Sequence, residues 1–296
     1  MSKVELPTIR FHQDVELFRE AVRFTAAESG FAPRLIEKDY FCTLLLAYLS
    51  TAAGEDLVFK GGTCLAKVHA ELYRLSEDLD FTIPIPFDSP RSKRGRRVDR
   101  VKEALIGLKK PFPLFHVIKA LKGANRSTQY LAVIGYNSLL SHQEETIKIE
   151  VSLREPLLMP AVNAEAHTLV RNPVTNHALL SPITLRCIAK TEALAEKFRA
   201  ALSRRDPAVR DFYDIDHAVR KGGLRPESDE LVQQVKQKLK VPGNDPVDVS
   251  KQRFAALRQQ VEPQLRPVLR EKDFREFDLE RAFKIGVTMA KAVEAK

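Results

Sequence analysis

Two neighbouring stretches decide the fold, Lys60-Gly61-Gly62-Thr63-Cys64-Leu65 and, a little further along the chain, Asp78-Leu79-Asp80-Phe81. The first follows an apolar, β-prone run at 57–59, and from Cys64 to Tyr73 the apolar residues recur with helical spacing. In the second, which continues to Ile83, apolar residues alternate with carboxylates as they do in a strand. The predicted order of elements is strand, glycine turn, helix, strand.

The glycine turn and the carboxylate pair fit the chemistry of phosphate and metal binding. Residues i and i+2 of a strand point to the same face, so Asp78 and Asp80 can share Mg²⁺, a hard cation that prefers carboxylate oxygens. A Gly-Gly-Thr turn at a helix N-terminus can offer backbone N–H groups and a hydroxyl to phosphate oxygens. Either feature alone is more often a plain turn or a solvated strand face. Together, in this order, they predict a site for nucleotide transfer.

The composition bounds the class of protein. The chain has 296 residues, enough for one large domain or two modest ones, and its 44% hydrophobic and 29% charged residues are normal for a soluble globular protein. A net charge of +9 favours polyanionic partners. Cys42, Cys64 and Cys187 are scattered without a CxxC pair, so the sequence indicates neither a zinc site nor a disulfide framework. The cysteines and the lack of a membrane-length apolar run predict a cytoplasmic protein with no membrane partner.

The periodicity along the chain predicts an α/β (α+β) fold with a mostly helical C-terminal lobe. We expect the first lobe to span residues 1–160 and the second 161–296, with an irregular connection between Pro156 and Ser181. Strands are predicted at Leu114–Leu121, Gln129–Tyr136 and Glu145–Leu153, and helices at Asp14–Ser29, Pro33–Ser50, Leu185–Leu202 and Phe274–Ala295.

Five segments resemble the AbiEii/MenT group of nucleotidyltransferase toxins, a branch of the polymerase-β-like nucleotidyltransferase superfamily found in type IV toxin–antitoxin and abortive-infection systems. The resemblance extends over residues 10–220, and Thr63 stands where many superfamily members have serine, with the hydroxyl retained. The segments that carry it are Ile36–Phe41, Phe59–Leu65, Arg74–Phe81, Glu196–Lys197 and Arg210–Asp214.

The resemblance implies a polymerase-β-like nucleotidyltransferase core with a mixed sheet, whose active site is completed by the helical lobe. It also implies transfer of a nucleoside monophosphate from a nucleoside triphosphate to RNA, at the 3′ acceptor end of tRNA, which blocks translation in phage defence. Two Mg²⁺ ions would be the cofactors, and a separately encoded antitoxin the partner. Two alternatives stay open: transfer to a hydroxyl of a protein or small molecule, and a non-catalytic binding module on the same fold.

Each candidate site residue has a role and, in several cases, a competing interpretation. Metal binding is predicted for Asp78, Asp80 and Glu150, although Glu150 could instead pair with Lys148 or Arg154 on a solvated strand face. The residues predicted to bind nucleotide are Lys60, Gly61, Gly62, Thr63 and Lys190.

The resemblance makes Asp80, Lys197 and Asp211 catalytic. Lys197 is expected to contact the triphosphate, and Lys190, two turns earlier on the same predicted helix, competes for that role. Asp211 and Asp214 could instead complement the dipole of a helix N-terminus.

Two further polar segments are open to two interpretations each. Residues 37–40 are polar within an apolar helix, and they either brace the glycine turn or form an exposed charged face. The basic residues of Arg91–Arg100 suit an RNA backbone, with a solvated flexible loop as the alternative.

Overall fold

The computed structural model describes residues 11–295 and divides the chain into two compact units, Met1–Ile188 and Ala189–Lys296. The first unit is built around a seven-stranded sheet with the order β3-β4-β5-β2-β1-β7-β6. The pairs β1–β7 and β2–β5 are parallel and the others antiparallel, so the predicted mixed sheet is confirmed. The strands are β1 (Val58–Lys60), β2 (Leu79–Thr82), β3 (His116–Ala124), β4 (Gln129–Asn137), β5 (Glu144–Ser152), β6 (Val162–Ala166) and β7 (Ile183–Cys187).

The segment before the helical unit differs from the sequence prediction. Residues 156–181, expected to be irregular, contain β6, and Leu185 and Cys187 lie in β7 instead of a helix. Buried Ile183, Leu185 and Cys187 alternate with exposed residues, a period of two that fits a strand. Because both strands extend the sheet of the first unit, the two units divide after Ile188, later in the chain than residue 160.

Helix ends in the first unit follow local sequence signals. The side chain of Asp14 accepts a hydrogen bond from the N–H of Leu17, and Gly30 ends α1 in the left-handed region at φ 77°. The helix expected to reach Tyr73 stops at His69, because Glu71 and Leu72 adopt positive φ. The helices are α1 (Val15–Ser29), α2 (Pro33–Ala52), α3 (Gly61–Cys64) with a π-helical continuation (Leu65–His69), α4 (Arg91–Arg97) and α5 (Asp99–Gly107), besides short 3₁₀ turns at Phe11–Gln13 and Asn125–Ser127.

The core of the first unit centres on α2, which is buried at every residue from Leu35 to Leu49. Phe41 contacts the rings of Phe18, Tyr40, Phe115 and Tyr136. These rings join α1, α2 and the β4 region into one apolar cluster.

The described part of the second unit, residues 189–295, is helical without a strand. Phe198, Phe212, Leu257 and Met289 form part of its core. No helix in residues 11–295 combines the length and apolar character of a membrane span. The helices are α6 (Lys190–Ser203), α7 (Val209–Arg220), α8 (Asp229–Leu239), α9 (Lys251–Gln260), α10 (Glu271–Glu276) and α11 (Leu279–Ala295), with π- and 3₁₀-helical turns between Val261 and Val268.

Candidate functional site

The glycine turn lies directly against the second aspartate of the carboxylate pair. In the antiparallel β1–β2 ladder Lys60 is opposite Asp80, and Gly61 follows at φ 77°. A Cβ atom on Gly61 would lie 2.2 Å from Oδ2 of Asp80, and one on Gly62 would lie 2.6 Å from Nη2 of Arg74. Glycine is therefore required at Gly61, where the contacts include Cβ of Asp80, whereas the contact at Gly62 is with the flexible end of the Arg74 side chain.

Thr63 links the glycine turn to the residue that precedes β2. It is buried, and its hydroxyl donates a hydrogen bond to the backbone carbonyl of Asp78. We expected this hydroxyl to serve a phosphate, but its hydrogen is directed at the protein backbone. The structure therefore shows Thr63 as a brace between α3 and the residue that precedes β2.

The sheet register places the predicted carboxylate ligands together. In the parallel β2–β5 ladder Asp80 is opposite Glu150, so the two side chains occupy the same face of the sheet. Leu79 and Phe81 point to the opposite, buried face. Asp78 precedes β2 directly, so three carboxylates lie on neighbouring positions, a donor set that fits a hard divalent cation such as Mg²⁺.

The competing interpretation of Glu150 is also visible in the structure. Nζ of Lys148 lies 3.4 Å from Oε2 of Glu150, and the two side chains are 45% and 26% exposed. Exposed pairs of this kind contribute about 0–1 kcal/mol, so this contact does not hold Glu150 away from a cation.

The polar residues of α2 are buried, which excludes the exposed charged face. Glu37 accepts hydrogen bonds from Oγ of Ser138 and N–H of Leu139, each at 2.7 Å. Burial raises the pKa of Glu37, and these hydrogen bonds oppose that shift. Glu37 thereby fixes the turn between β4 and β5.

Two more side chains of α2 brace the glycine turn, as predicted. Nζ of Lys38 lies 2.6 Å from Glu77, which immediately precedes Asp78. Asp39 pairs at 2.5 Å with Lys67, in the π-helical continuation of α3, and both side chains are almost completely buried. The helix therefore holds both the carboxylate strand and the turn from the core side.

The predicted residues of the second unit form a cluster of their own. Nζ of Lys197 lies 2.9 Å from Asp211 and 2.8 Å from Asp214, and Nη1 of Arg204 lies 3.3 Å from Asp211. Asp211 and Asp214 face the same side of α7, as their i, i+3 spacing predicted. Lys190 is the exposed first residue of α6, whereas the Lys197 side chain is only 13% exposed.

Comparison with known proteins identifies the family. Residues 43–288 match the family described as nucleotidyl transferase AbiEii toxin of type IV toxin–antitoxin systems. The chain belongs to this AbiEii family. It is therefore a toxin-type nucleotidyltransferase. The match begins at residue 43, so it does not include the Ile36–Phe41 segment, which also resembles the family.

One solved structure shares the fold of this AbiEii-family chain. JHP933 from Helicobacter pylori is 18% identical, with a TM-score of 0.50 over 90% of this chain and 94% of that one. A candidate nucleotidyltransferase from H. pylori is also 18% identical, with a TM-score of 0.48 over 86% of this chain and 93% of that one. No curated protein matches the sequence.

Sequence reasoning missed a cysteine–histidine cluster in this AbiEii-family chain. Donor atoms of Cys64, His69 and Cys187 all lie within 4.8 Å of one another, which corrects the view of the cysteines as unrelated. A hydrogen bond with Cys64 lowers the pKa of the Cys187 thiol to about 5, with His69 acting in the same direction and desolvation opposing both. Cys64 and His69 are five residues apart, but Cys187 is more than a hundred residues further along the chain, so spacing could not reveal the cluster.

Basic residues also converge where the sequence did not show it. In the antiparallel ladders of β3, β4 and β5, Lys119 and Lys148 are both register partners of Val133. Lys122 and Glu150 are likewise both register partners of Leu131, so the lysines share the face of the sheet that carries Glu150.

The basic segment after β2, Arg91–Arg97, forms helix α4, so the alternative prediction of a flexible loop is wrong.

Proposed function

We propose that this AbiEii-family toxin transfers a nucleoside monophosphate from a nucleoside triphosphate to the 3′ acceptor end of tRNA and so blocks translation. The main support is one row of the sheet, in which Lys60, Asp80 and Glu150 are register partners across β1, β2 and β5. This row begins where the glycine turn leaves β1, so a cation, a basic side chain and turn N–H groups can all meet a triphosphate there.

In this proposal Asp78, Asp80 and Glu150 hold Mg²⁺, with two ions at the site. Bound Mg²⁺ would supply Lewis-acid stabilisation of the charge on the phosphates and on the leaving pyrophosphate. The residues Lys60, Gly61 and Gly62 bind phosphate oxygens, while Thr63 keeps the turn in place.

The acceptor hydroxyl oxygen attacks the α-phosphorus, and the bond from that phosphorus to the bridging oxygen of the β-phosphate breaks. A new phosphodiester bond forms and pyrophosphate leaves. The protein contributes position and charge neutralisation more than covalent chemistry. The ion pairs that α2 forms with Glu77, next to Asp78, and with Lys67, after the glycine turn, serve that positioning.

For the second unit, taken by itself, we propose that Lys197 binds phosphate and that Asp211 and Asp214 orient it. The two carboxylates hold the ammonium group at 2.9 and 2.8 Å, which fixes a long side chain that would otherwise be mobile. Lys190 remains the alternative phosphate contact, since its side chain is exposed and its charged form is not desolvated.

An RNA acceptor is supported by charge. The chain carries a net +9, and Lys119, Lys122 and Lys148 occupy the β3–β5 face that also carries Glu150. Helix α4 adds the exposed residues Arg91 and Arg96. Lysine and arginine side chains at such positions neutralise the charge of a phosphate backbone without reading its sequence.

We further propose that a separately encoded antitoxin inhibits the toxin, as the type IV family implies, and that the toxin acts in the cytoplasm.

The test supplies purified protein and Mg²⁺ with each of the four nucleoside triphosphates, labelled at the α-phosphate, and with four separate acceptor samples. These are intact tRNA, tRNA with its 3′ ribose oxidised by periodate, cellular RNA depleted of tRNA, and a heat-inactivated cell lysate freed of RNA. We expect label in the intact tRNA alone. Label in other RNA would reject the tRNA acceptor. Label in protein or in small molecules, with none in RNA, would favour the alternative hydroxyl acceptors, and no label in any fraction would favour the binding module.

A further inference from the structure

The cluster of Cys64, His69 and Cys187 lies outside the carboxylate site. Cys64 is the last residue of α3, directly after Thr63, and His69 ends the π-helical continuation. Cys187 is the last residue of β7, where it pairs with Phe59 of β1. Both cysteines are fully buried and neither is in a disulfide, whereas His69 is partly exposed.

We propose that Cys64, His69 and Cys187 bind a zinc ion. Two thiolates and one imidazole form a donor set that suits this borderline-soft cation and is poor for Mg²⁺, so the carboxylate site would not compete for it. Three protein ligands leave a fourth position for water or another donor, on the partly exposed side where His69 lies.

The spacing of the donor atoms is close to what tetrahedral zinc needs. With bonds of about 2.3 Å to sulfur and 2.0–2.1 Å to nitrogen, the donor atoms would lie about 3.5–3.8 Å apart. The largest separation allowed by the cluster is 4.8 Å, so the side chains must draw in by roughly 1 Å.

His69 already has a partner that orients its ring. Its Nε2 lies 2.9 Å from the carbonyl oxygen of Ile188. A hydrogen bond from a ring N–H to a backbone carbonyl is the usual support of a metal-binding histidine, because it fixes the tautomer and leaves the other nitrogen with its lone pair.

A zinc ion here would join the turn-bearing helix to the sheet. The ion would link α3, which carries Thr63, to β7, the parallel neighbour of β1. Zinc would then stabilise the folded first unit, and its removal would loosen the glycine turn. This consequence does not depend on any nucleotidyl transfer.

The experiment measures metal binding directly, in full-length protein without an affinity tag. Chelator-treated protein is titrated with Zn²⁺ against a chromophoric chelator, and separately with Co²⁺, whose near-ultraviolet charge-transfer band reports thiolate ligands. The variants are Cys64→Ser, His69→Asn and Cys187→Ser. Cys42→Ser is the matched control, because Cys42 is equally buried but outside the cluster.

We expect one zinc ion per chain in the natural protein and in Cys42→Ser, with a thiolate–cobalt band in both. Each ligand variant should bind zinc at least roughly tenfold more weakly, since loss of even a supporting partner costs about that much. The proposal would be overturned if the natural protein gave no thiolate–cobalt band. It would also be overturned if His69→Asn and Cys187→Ser bound zinc as tightly as Cys42→Ser. The cobalt band of the natural protein decides the matter even if a cysteine variant fails to fold.

Discussion

At the scale of single residues, the site depends on a glycine that is needed for two separate reasons. Gly61 adopts φ 77°, a conformation that costs other residues about 1–2 kcal/mol. The space that a Cβ atom would take is already occupied by Asp80. Sequence spacing could predict that a glycine turn and Asp80 belong to one site, whereas the atomic contact between them follows from the β1–β2 register, which spacing does not give.

Gly61→Ala should therefore abolish nucleotidyl transfer, because the new methyl group must displace the Asp80 carboxylate. Gly223→Ala is the matched control, since Gly223 has φ 66° but no atom within 4 Å of the added Cβ. Backbone strain should cost both variants about 1–2 kcal/mol of stability, measured by urea unfolding. Gly61→Ala should lose more than Gly223→Ala, because its methyl group also overlaps Asp80. Equal transfer rates in the two variants would show that the contact with Asp80 is unimportant.

The pKa of Glu77 gives a second prediction at this scale. Desolvation raises this pKa, but the hydrogen bond and charge of Lys38 outweigh it and hold the pKa below its ordinary 4.5. A depressed carboxyl pKa adds stability that is present above pH 4.5 and is lost as the pH falls through the folded-state value. Glu77→Gln should lower the melting temperature at pH 7, and the difference from the natural protein should shrink as the pH drops below 4.5. Exposed Glu28→Gln should show no such gap, and a gap for Glu77→Gln that stays constant with pH would contradict this account.

At the scale of elements, α2 supports the site through buried charges. A sequence of apolar residues interrupted by residues 37–40 could predict a helix, but it left open whether these polar side chains face solvent. The partners of these side chains, Ser138, Glu77 and Lys67, come from three distant segments. The polar residues of α2 can therefore be buried only because the tertiary fold supplies their hydrogen bonds and counter-charges. The same limit explains β7, a short run with a period of two whose pairing partners lie far away in sequence, so that a helix from Leu185 was predicted there.

Lys67→Met should destabilise the protein by about 3–5 kcal/mol, because it leaves the buried Asp39 carboxylate without its counter-charge. Lys102→Met breaks an exposed lysine–aspartate pair with Asp99, 2.8 Å long, and should cost about 0–1 kcal/mol. Urea unfolding of the two variants measures the difference. Similar losses in both would mean that the buried pair does not brace the glycine turn.

At the scale of the whole molecule, the alternation of strand patterns and the later helical run were enough to predict an α/β lobe followed by a helical lobe, while the mixed sheet was implied by the family resemblance. The extent of the first unit was not predictable in the same way, because β6 and β7 pair with strands far away in sequence. The distribution of charge was likewise only partly predictable from the sequence. The net +9 predicts a polyanionic partner, while the gathering of Lys119, Lys122 and Lys148 on one face needs the β3–β5 register.

The double change Lys119→Gln and Lys122→Gln should weaken tRNA binding and reduce its dependence on salt. Loss of two phosphate contacts lowers the slope of log affinity against log salt by about 1.4–1.8. The control is Lys109→Gln with Lys110→Gln, which removes the same charge from exposed positions after α5. Fluorescence anisotropy over a salt series measures both slopes, and equal slopes would show that the effect is net charge alone.

The central claim is that the Asp80 row of the sheet transfers a nucleoside monophosphate. The direct measurement compares a nucleoside triphosphate labelled at the α-phosphate with one labelled at the γ-phosphate, in the natural protein, in Asp80→Asn and in Asp88→Asn, an exposed acid of the same unit. We predict that only the α-label enters the acceptor, that Asp80→Asn abolishes its entry while the circular dichroism spectrum stays unchanged, and that Asp88→Asn transfers normally. Entry of the γ-label, or undiminished α-label transfer by Asp80→Asn, would contradict the claim.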